Sequence, residues 1–337
     1  MRLVYRLCGV VLAAIIVAVA AFLFWWNRPI PLAEDYRFVV VEGATLSSIS
    51  RELAGLGLID YPVLLARAGR ALQVDRRIHA GHYLIEPGIS PKGLLQLLGS
   101  GDTLLSKLTI PEGLTARQIM DLIQSQLELE QSLTGIDDPW ILARFESVGG
   151  VEGWLFPDTY RFAANTSDKD IIALAHNRMQ NELDRAWQRR SDDTQLKTPY
   201  EALIMASIIE KETSHAGERG EISGVFNRRL AQSMRLQTDP TVIYGIGEAF
   251  DGDITRAHLR DKRNVYNTYQ HGGLPPTPIA SPGRASLEAA VMPKDGTSLY
   301  FVADGRGGHV FSDTLEQHQQ AVRAYLKKLR NKQGSEQ

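Results

Sequence analysis

The sequence predicts an α+β protein behind one N-terminal membrane-spanning helix. Three observations lead there. An uncharged run of twenty residues, Leu7 to Trp26, opens the chain. A strand, a Gly-containing turn and a helix follow one another around Phe38, and again around Leu108. Beyond residue 170, amphipathic helical stretches alternate with connections rich in Gly, Pro and Asn. Composition supports a folded chain: 44% apolar and 23% charged residues are ordinary for globular domains. Lys and Arg number 37 against 39 Asp and Glu, so no basic excess points to nucleic acid. The single cysteine, Cys8, leaves no pair for a disulfide and no Cys-based zinc site. Tyr5-Arg6-Leu7 before it is not the small-residue signal of a lipoprotein.

The apolar run fits a membrane span in length, since about 20 helical residues cross a core of roughly 30 Å. Arg2 and Arg6 precede it, and Trp25 and Trp26 close it, which orients residues 1–6 to the cytoplasm and the remainder outside. Ala18-Val19-Ala20 offers a signal-peptide cleavage site as the alternative, but the apolar run continues well past it. Residues 27–36, with Pro29 and Pro31, read as a linker. Phe38 to Val41 is a strand, Glu42-Gly43 a turn, and Thr45 the cap of a helix carrying Leu46, Ile49 and Leu53 at helical spacing. His79 to Gly88 is a short strand and turn, and Ser90-Pro91 opens a leucine-rich helix. Leu108 to Ile110 is a strand, Glu112-Gly113 its turn, and Thr115 the cap of the helix with Ile119, Leu122 and Ile123. The recurrence of strand, Glu-Gly and Thr-capped helix suggests a weak internal repeat, or simply shared βα turn chemistry. Residues 124–147 are polar and predicted helical. Glu152 to Tyr160 is an aromatic turn segment, and Ile171 to Arg190 a long amphipathic helix. Residues 191–198 form a loop before a helix opened by Pro199, and residues 331–337 are a polar tail.

The chemistry concentrates after residue 200. Ala202 to Thr213 is a strongly apolar helix ending in Glu210 and Glu212. Two residues on a helix are separated by about 200°, so the two carboxyls cannot share a face. One of them can point inward, and Ile208 and Ile209 precede Glu210. A carboxyl among apolar side chains keeps its proton to higher pH, which a general acid requires. Solvated carboxylates at a helix end are the commoner state, though this is the unfavourable end of the helix dipole. Gln237, Thr238 and Asp239 follow, with Asp239 also suited to cap a helix begun by Pro240. Tyr244, Asn267 and Tyr269 suit a sugar, because amides bond hydroxyls and rings stack on apolar sugar faces. A turn-rich connection explains the same composition. The eight histidines form no metal motif; His309 and His318 read as structural or sugar-contacting. Phosphate-loop, dinucleotide and Gly-x-Ser-x-Gly patterns are absent, so no cofactor is expected.

Taken in order, these segments resemble the endolytic murein transglycosylases of the YceG-like family. The resemblance rests on Glu152-Gly-Trp-Leu-Phe-Pro-Asp-Thr-Tyr160, Ala206-Ser-Ile-Ile-Glu-Lys-Glu-Thr213 and Leu236-Gln-Thr-Asp-Pro-Thr-Val-Ile-Tyr-Gly245. Tyr266 to Tyr269, Gly273 to Pro276, Ile279 to Gly283, Tyr300 to Gly305 and Gly308 to Phe311 extend it. Ser281 stands where many relatives carry Asn or Thr. The resemblance implies a LysM-like subdomain over residues 37–110 and a catalytic domain over residues 111–330. It makes Glu210, the first glutamate of the pair, the acid/base, with Glu212 mattering less. Gln237, Thr238, Asp239, Tyr244, Asn267 and Tyr269 would bind substrate.

The reaction so implied cuts the β-1,4 bond between N-acetylmuramic acid and N-acetylglucosamine. One carboxyl protonates the leaving oxygen and then takes the proton of the sugar's own C6 hydroxyl, leaving a 1,6-anhydro end. The partners implied are peptidoglycan strands, the membrane and neighbouring synthases, at the plasma (inner) membrane. Two other readings stay open at this level: a hydrolase with Asp239 acting on water, and a non-catalytic peptidoglycan-binding scaffold.

Overall fold

A computed structural model describes residues 2–41, 43–101, 103–163 and 166–333. Glu42 of the expected turn, and residues 334–337 of the expected tail, lie outside them. The contacts divide the chain into two compact units, one running to Lys107 and including Arg161–Thr166, the other holding Leu108–Tyr160 and Ser167–Gln337.

The first unit begins with helix α1 (Arg2–Asn27), whose segment Arg6–Asn27 is long and apolar enough to cross a membrane. The unit then runs β1 (Tyr36–Val40), α2 (Leu46–Gly55), α3 (Pro62–Ala71), β2 (Gly81–Ile85) and α4 (Pro91–Ser100). β1 and β2 pair antiparallel, with Phe38 opposite Tyr83. Strand alternation turns Phe38, Val40, Tyr83 and Ile85 to one face, where they meet Leu46, Ile49, Leu53, Leu65 and Leu94. Each such side chain, fully buried, stabilises by roughly 1.5–3 kcal/mol. The expected caps are present: Thr45 forms a capping box with Ser48, and the Ser90 hydroxyl accepts from Gly93 N–H. The expected linker departs from its prediction. Ile30 is buried in the core, and its N–H donates to the Ile89 carbonyl at 2.7 Å. Trp25 is buried in the same cluster.

The second unit contains the end of β3 (Ser106–Thr109), α5 (Ala116–Gln124), α6 (Pro139–Phe145), the start of β4 (Thr159–Phe162) and α7 (Asp168–Gln188). It continues with α8 (Pro199–Glu212), α9 (Arg219–Ala231), α10 (Asp239–Ile246), α11 (Arg256–Arg260), α12 (Arg284–Val291), the hairpin β5 (Tyr300–Ala303) and β6 (His309–Ser312), and α13 (Leu315–Gln333). Thr115 caps α5 as expected. The predicted helix over residues 124–147 is mostly absent, and α6 alone is helical α structure there. Asp138 caps it, Pro139 opens it, and Gly135 (φ 149) breaks the chain before it. The preceding loop is held instead by Asp168, whose buried carboxylate accepts from the Ser132 and Leu133 amides and the Ser132 hydroxyl at 2.6–2.9 Å. Helix α13 runs to Gln333, so the chain stays helical into the expected tail.

Helix α8 is the axis of the second unit. Every residue from Ala202 to Ile209 is buried, and α7, α9, α10 and α12 pack around it. A helix apolar on all sides belongs in such a place. Its C-terminal turn emerges from this packing with two carboxyls.

Candidate active site

Glu210 and Glu212 leave α8 in opposite directions, as the helical angle requires. The Glu210 side chain is 7% exposed, with the Arg219 guanidinium 3.8 Å away. Its Oε2 accepts from the backbone N–H of Gly283 at 2.9 Å. Beside it, Glu112 is held above the usual carboxyl range, first by burial and then by the Glu210 charge, with Arg219 acting the other way. Gly283 lets Glu112 pack close: a Cβ at that position would lie 1.8 Å from Glu112 Oε1, so the Glu112 side chain would have to move aside. Lys211 Nζ donates to the Gly113 carbonyl, while Gly113 and Leu114 exchange backbone hydrogen bonds with Ser281. Glu210 therefore belongs to a clasp joining the end of α8 to two turns. Ser281 acts in it through its backbone, so the departure from Asn or Thr leaves these bonds intact.

Glu212 faces the other way, into a cleft of about 490 Å³. Gln237, Thr238, Asp239 and Tyr269 line the same cleft, along with Arg229 and His309. Burial pushes the Glu212 carboxyl up to about 7, against the Thr238 hydroxyl and the positive charges of His309 and Arg229; Asp239 adds to the rise. The Thr238 hydroxyl donates to Glu212 Oε1. Thr238 is itself fixed, because its N–H donates to Thr268 Oγ1 at 3.0 Å. Gln237 takes a left-handed φ of 53°, which for a side-chain residue costs of order 1 kcal/mol and is common at functional sites. Tyr269 donates to Asp239 Oδ1 at 2.7 Å. Arg229 braces the wall by donating to the Leu236 and Leu299 carbonyls, with its guanidinium over the Tyr300 ring.

The structure thus gathers four of the expected sugar-facing residues around Glu212, the opposite of the expected choice within the pair. Sequence spacing separates the two carboxyls but does not orient them; the Gly283 amide, supplied by a distant turn, captures Glu210. Asp239 is the first residue of α10, and Thr238 holds the cap position, so the expected capping role is not seen. Asn267 is fully buried and donates to the His258 and Asp261 carbonyls, which makes it scaffold. Tyr244 lies apart from the cleft, donating to Glu152 Oε2 at 3.0 Å with its ring edge-on to Tyr266. Burial pushes Glu152 up to about 7, while the Ala116 amide, the Tyr244 hydroxyl and the Gly153 amide act against the rise. Arg229 and Glu218 carried no sequence signal beyond their charge. Among the described residues no group of three or more His, Cys, Asp or Glu could hold a metal ion.

The profile of the YceG-like family matches residues 38–324. An endolytic murein transglycosylase of Bacillus subtilis (strain 168) is 32% identical over 266 residues, covering 73% of each chain. One of Streptococcus pneumoniae (strain D39) is 27% identical over 330 residues, covering 87% of this chain and 59% of that one. The crystal structure of a yceG-like protein of Listeria monocytogenes is similar with a TM-score of 0.54 at 30% identity, over 85% of this chain and 98% of the other.

Proposed function

The chain belongs to the YceG-like family, and from that premise we propose that it is a peptidoglycan lytic transglycosylase cutting inside glycan strands with Glu212 as its acid/base. The observation that carries this reading is the cleft: one carboxyl raised to about 7, ringed by hydroxyl, amide and phenol groups. Near neutrality such a group is protonated in part and can both give and take a proton.

The step runs as follows. Glu212 donates its proton to the oxygen leaving C1 of N-acetylmuramic acid as the C1–O bond to the next sugar breaks. The resulting carboxylate removes the proton of the C6 hydroxyl of the same muramyl residue. The C6 oxygen bonds to C1, closing a 1,6-anhydro ring and returning the proton to Glu212. The nucleophile is already attached to the substrate, so no second carboxylate and no bound water are needed. Gln237, Thr238 and Tyr269 hold the sugar. Asp239 is engaged by Tyr269, which favours a positioning role over activation of water.

The βααβ order of β1, α2, α3 and β2, with its antiparallel pair, supports a LysM-like subdomain for glycan binding. The apolar helix supports a single-pass anchor in the plasma (inner) membrane with both units outside. A cutter so tethered would meet new strands beside their synthases and limit strand length. Mass analysis of products from purified glycan tests the reaction. Anhydro-muramyl ends are expected. Reducing ends, heavier by one water, would make the protein a hydrolase, and binding without cleavage would make it a scaffold.

A further inference from the structure

The cleft wall includes His309, which is paired with a carboxylate that the proton transfers above do not use. Glu218, just before α9, accepts from the backbone N–H of His309 at 2.8 Å through Oε1, and its Oε2 lies 2.8 Å from His309 Nδ1. The Thr213 hydroxyl also donates to Oε2. Partial burial acts to raise Glu218, but the side-chain and backbone bonds from His309 outweigh it and hold the carboxyl below its ordinary range. An ionised carboxylate only accepts, so Nδ1 must carry a hydrogen. Nε2 is left as the proton-binding atom of the ring, and among the described residues it makes no hydrogen bond. The ring is 14% exposed and lines the same cleft as Glu212.

The other charged groups that act on the Glu212 carboxyl are Arg229 on α9 and Asp239 on α10, beside the Thr238 hydroxyl. Tyr300 on β5 and His318 and Tyr325 on α13 complete the far walls with Tyr269. The sequence Gly308 to Phe311 places His309 at the start of β6, where the hairpin fixes its backbone; Asp304 pairs with Gly308 across the turn at 2.8 Å.

We propose that His309, locked in one orientation by Glu218, is a positioning residue for glycan cleavage that acts through Glu212, in the cleft they share, by stabilising its carboxylate form. When Glu212 gives up its proton to the leaving sugar, an imidazolium lining the same cleft lowers the energy of the carboxylate that remains. Glu218 fixes the ring that carries it through the bond at Nδ1. The inference rests on Glu212 being the acid/base.

The test is the pH profile of cleavage of solubilised glycan by the full chain in detergent micelles, for wild type, His309→Gln and Glu218→Gln. Glu212 must be protonated to act as acid, so activity falls on the alkaline side as it ionises. Removing the imidazolium makes ionisation harder, and the alkaline limb is expected to move to higher pH by about half a unit, with Glu218→Gln moving it in the same direction by less. At the pH where wild type is at half its maximum, His309→Gln then retains about three quarters of its own maximum. Asp239→Asn removes a like charge and moves the limb the other way. Glu218→Gln keeps an acceptor for the His309 amide, so it tests the idea even where His309→Gln folds poorly. If both variants lose rate with the limb unmoved, the pair is only structural and the inference fails. Failure of the parent reading is separate: wild type would leave no anhydro ends, or Glu212→Gln would cut as wild type does.

Discussion

Replacing Glu212 with Gln should abolish glycan cleavage, whereas replacing Glu210 should not. At pH 7 a carboxyl raised to about 7 is protonated about half the time, whereas one at its ordinary 4.5 is protonated roughly once in 300. Burial thus increases the acid available at neutrality by about 150-fold. Gln can neither give nor take the proton, and in the proposed reaction Glu212 handles it in both halves. The loss should reach the upper part of the about 10²–10⁴-fold range for acid/base removal, or about 4–5 kcal/mol of barrier. In Glu210→Gln the amide oxygen can still accept from Gly283 N–H, the contact to Arg219 weakens, and the charge that raises Glu112 is removed. That variant should stay within about tenfold of wild type, a stability effect rather than a lost proton carrier. The assay is chromatographic release of anhydro-ended muropeptides, with circular dichroism to show that both variants fold. A folded, inactive Glu210→Gln beside an active Glu212→Gln would refute the assignment and restore the first glutamate of the pair.

Other outcomes follow from the same geometry. Glu152 is raised from 4.5 to about 7 in the fold, so its contribution to stability is fully present below about pH 4.5 and is lost as pH rises toward and through about 7. Glu152→Gln removes that slope and should gain on wild type by of order 3 kcal/mol between pH 4.5 and 8 in urea titrations; a pH-independent difference would contradict it. Gly224→Ala places a Cβ 2.4 Å from the Lys294 carbonyl oxygen, a backbone atom, and should cost about 1–3 kcal/mol in thermal melts. Gly220→Ala, whose nearest neighbour is 3.7 Å away, should be neutral or slightly stabilising. Asn267→Ala strips the donor from two backbone carbonyls and should cost roughly 2 kcal/mol or more of stability, with the pH limbs of activity unmoved; a shifted limb would place Asn267 in the cleft after all.

Local chemistry was the legible part of the sequence. Thr45, Ser90 and Thr115 cap helices because their hydroxyls meet amides three residues on, and Pro199 opens α8 because its ring suits the first turn. The apolar spacing of Leu46, Ile49 and Leu53 fixes which face of α2 is buried. What the sequence left undecided depends on partners far away in the chain. Nothing near Glu210 announces that Gly283 will bind it. Tyr244 and Asn267 have side chains fit for sugar, but the fold spends them on Glu152 and on the carbonyls of residues 258 and 261. Residues 124–147 misled for a related reason: their polarity reads as a helix surface, while Asp168 from another segment holds them as a loop.

The burial of Trp25 and Ile30 in the first unit has a mechanical meaning. A free ten-residue tether would let its load wander roughly 15–20 Å from the point of attachment. Here the last turn of α1 and the segment after it are built into the folded body, and Trp25 packs edge-on to Tyr61 at 6.0 Å. The anchor proposed above, joined in this way, would behave as a stiff post rather than a leash. The unit it carries would ride at one height and tilt above the lipid, and lengthening residues 27–36 with Gly and Ser would disrupt packing before it extended reach.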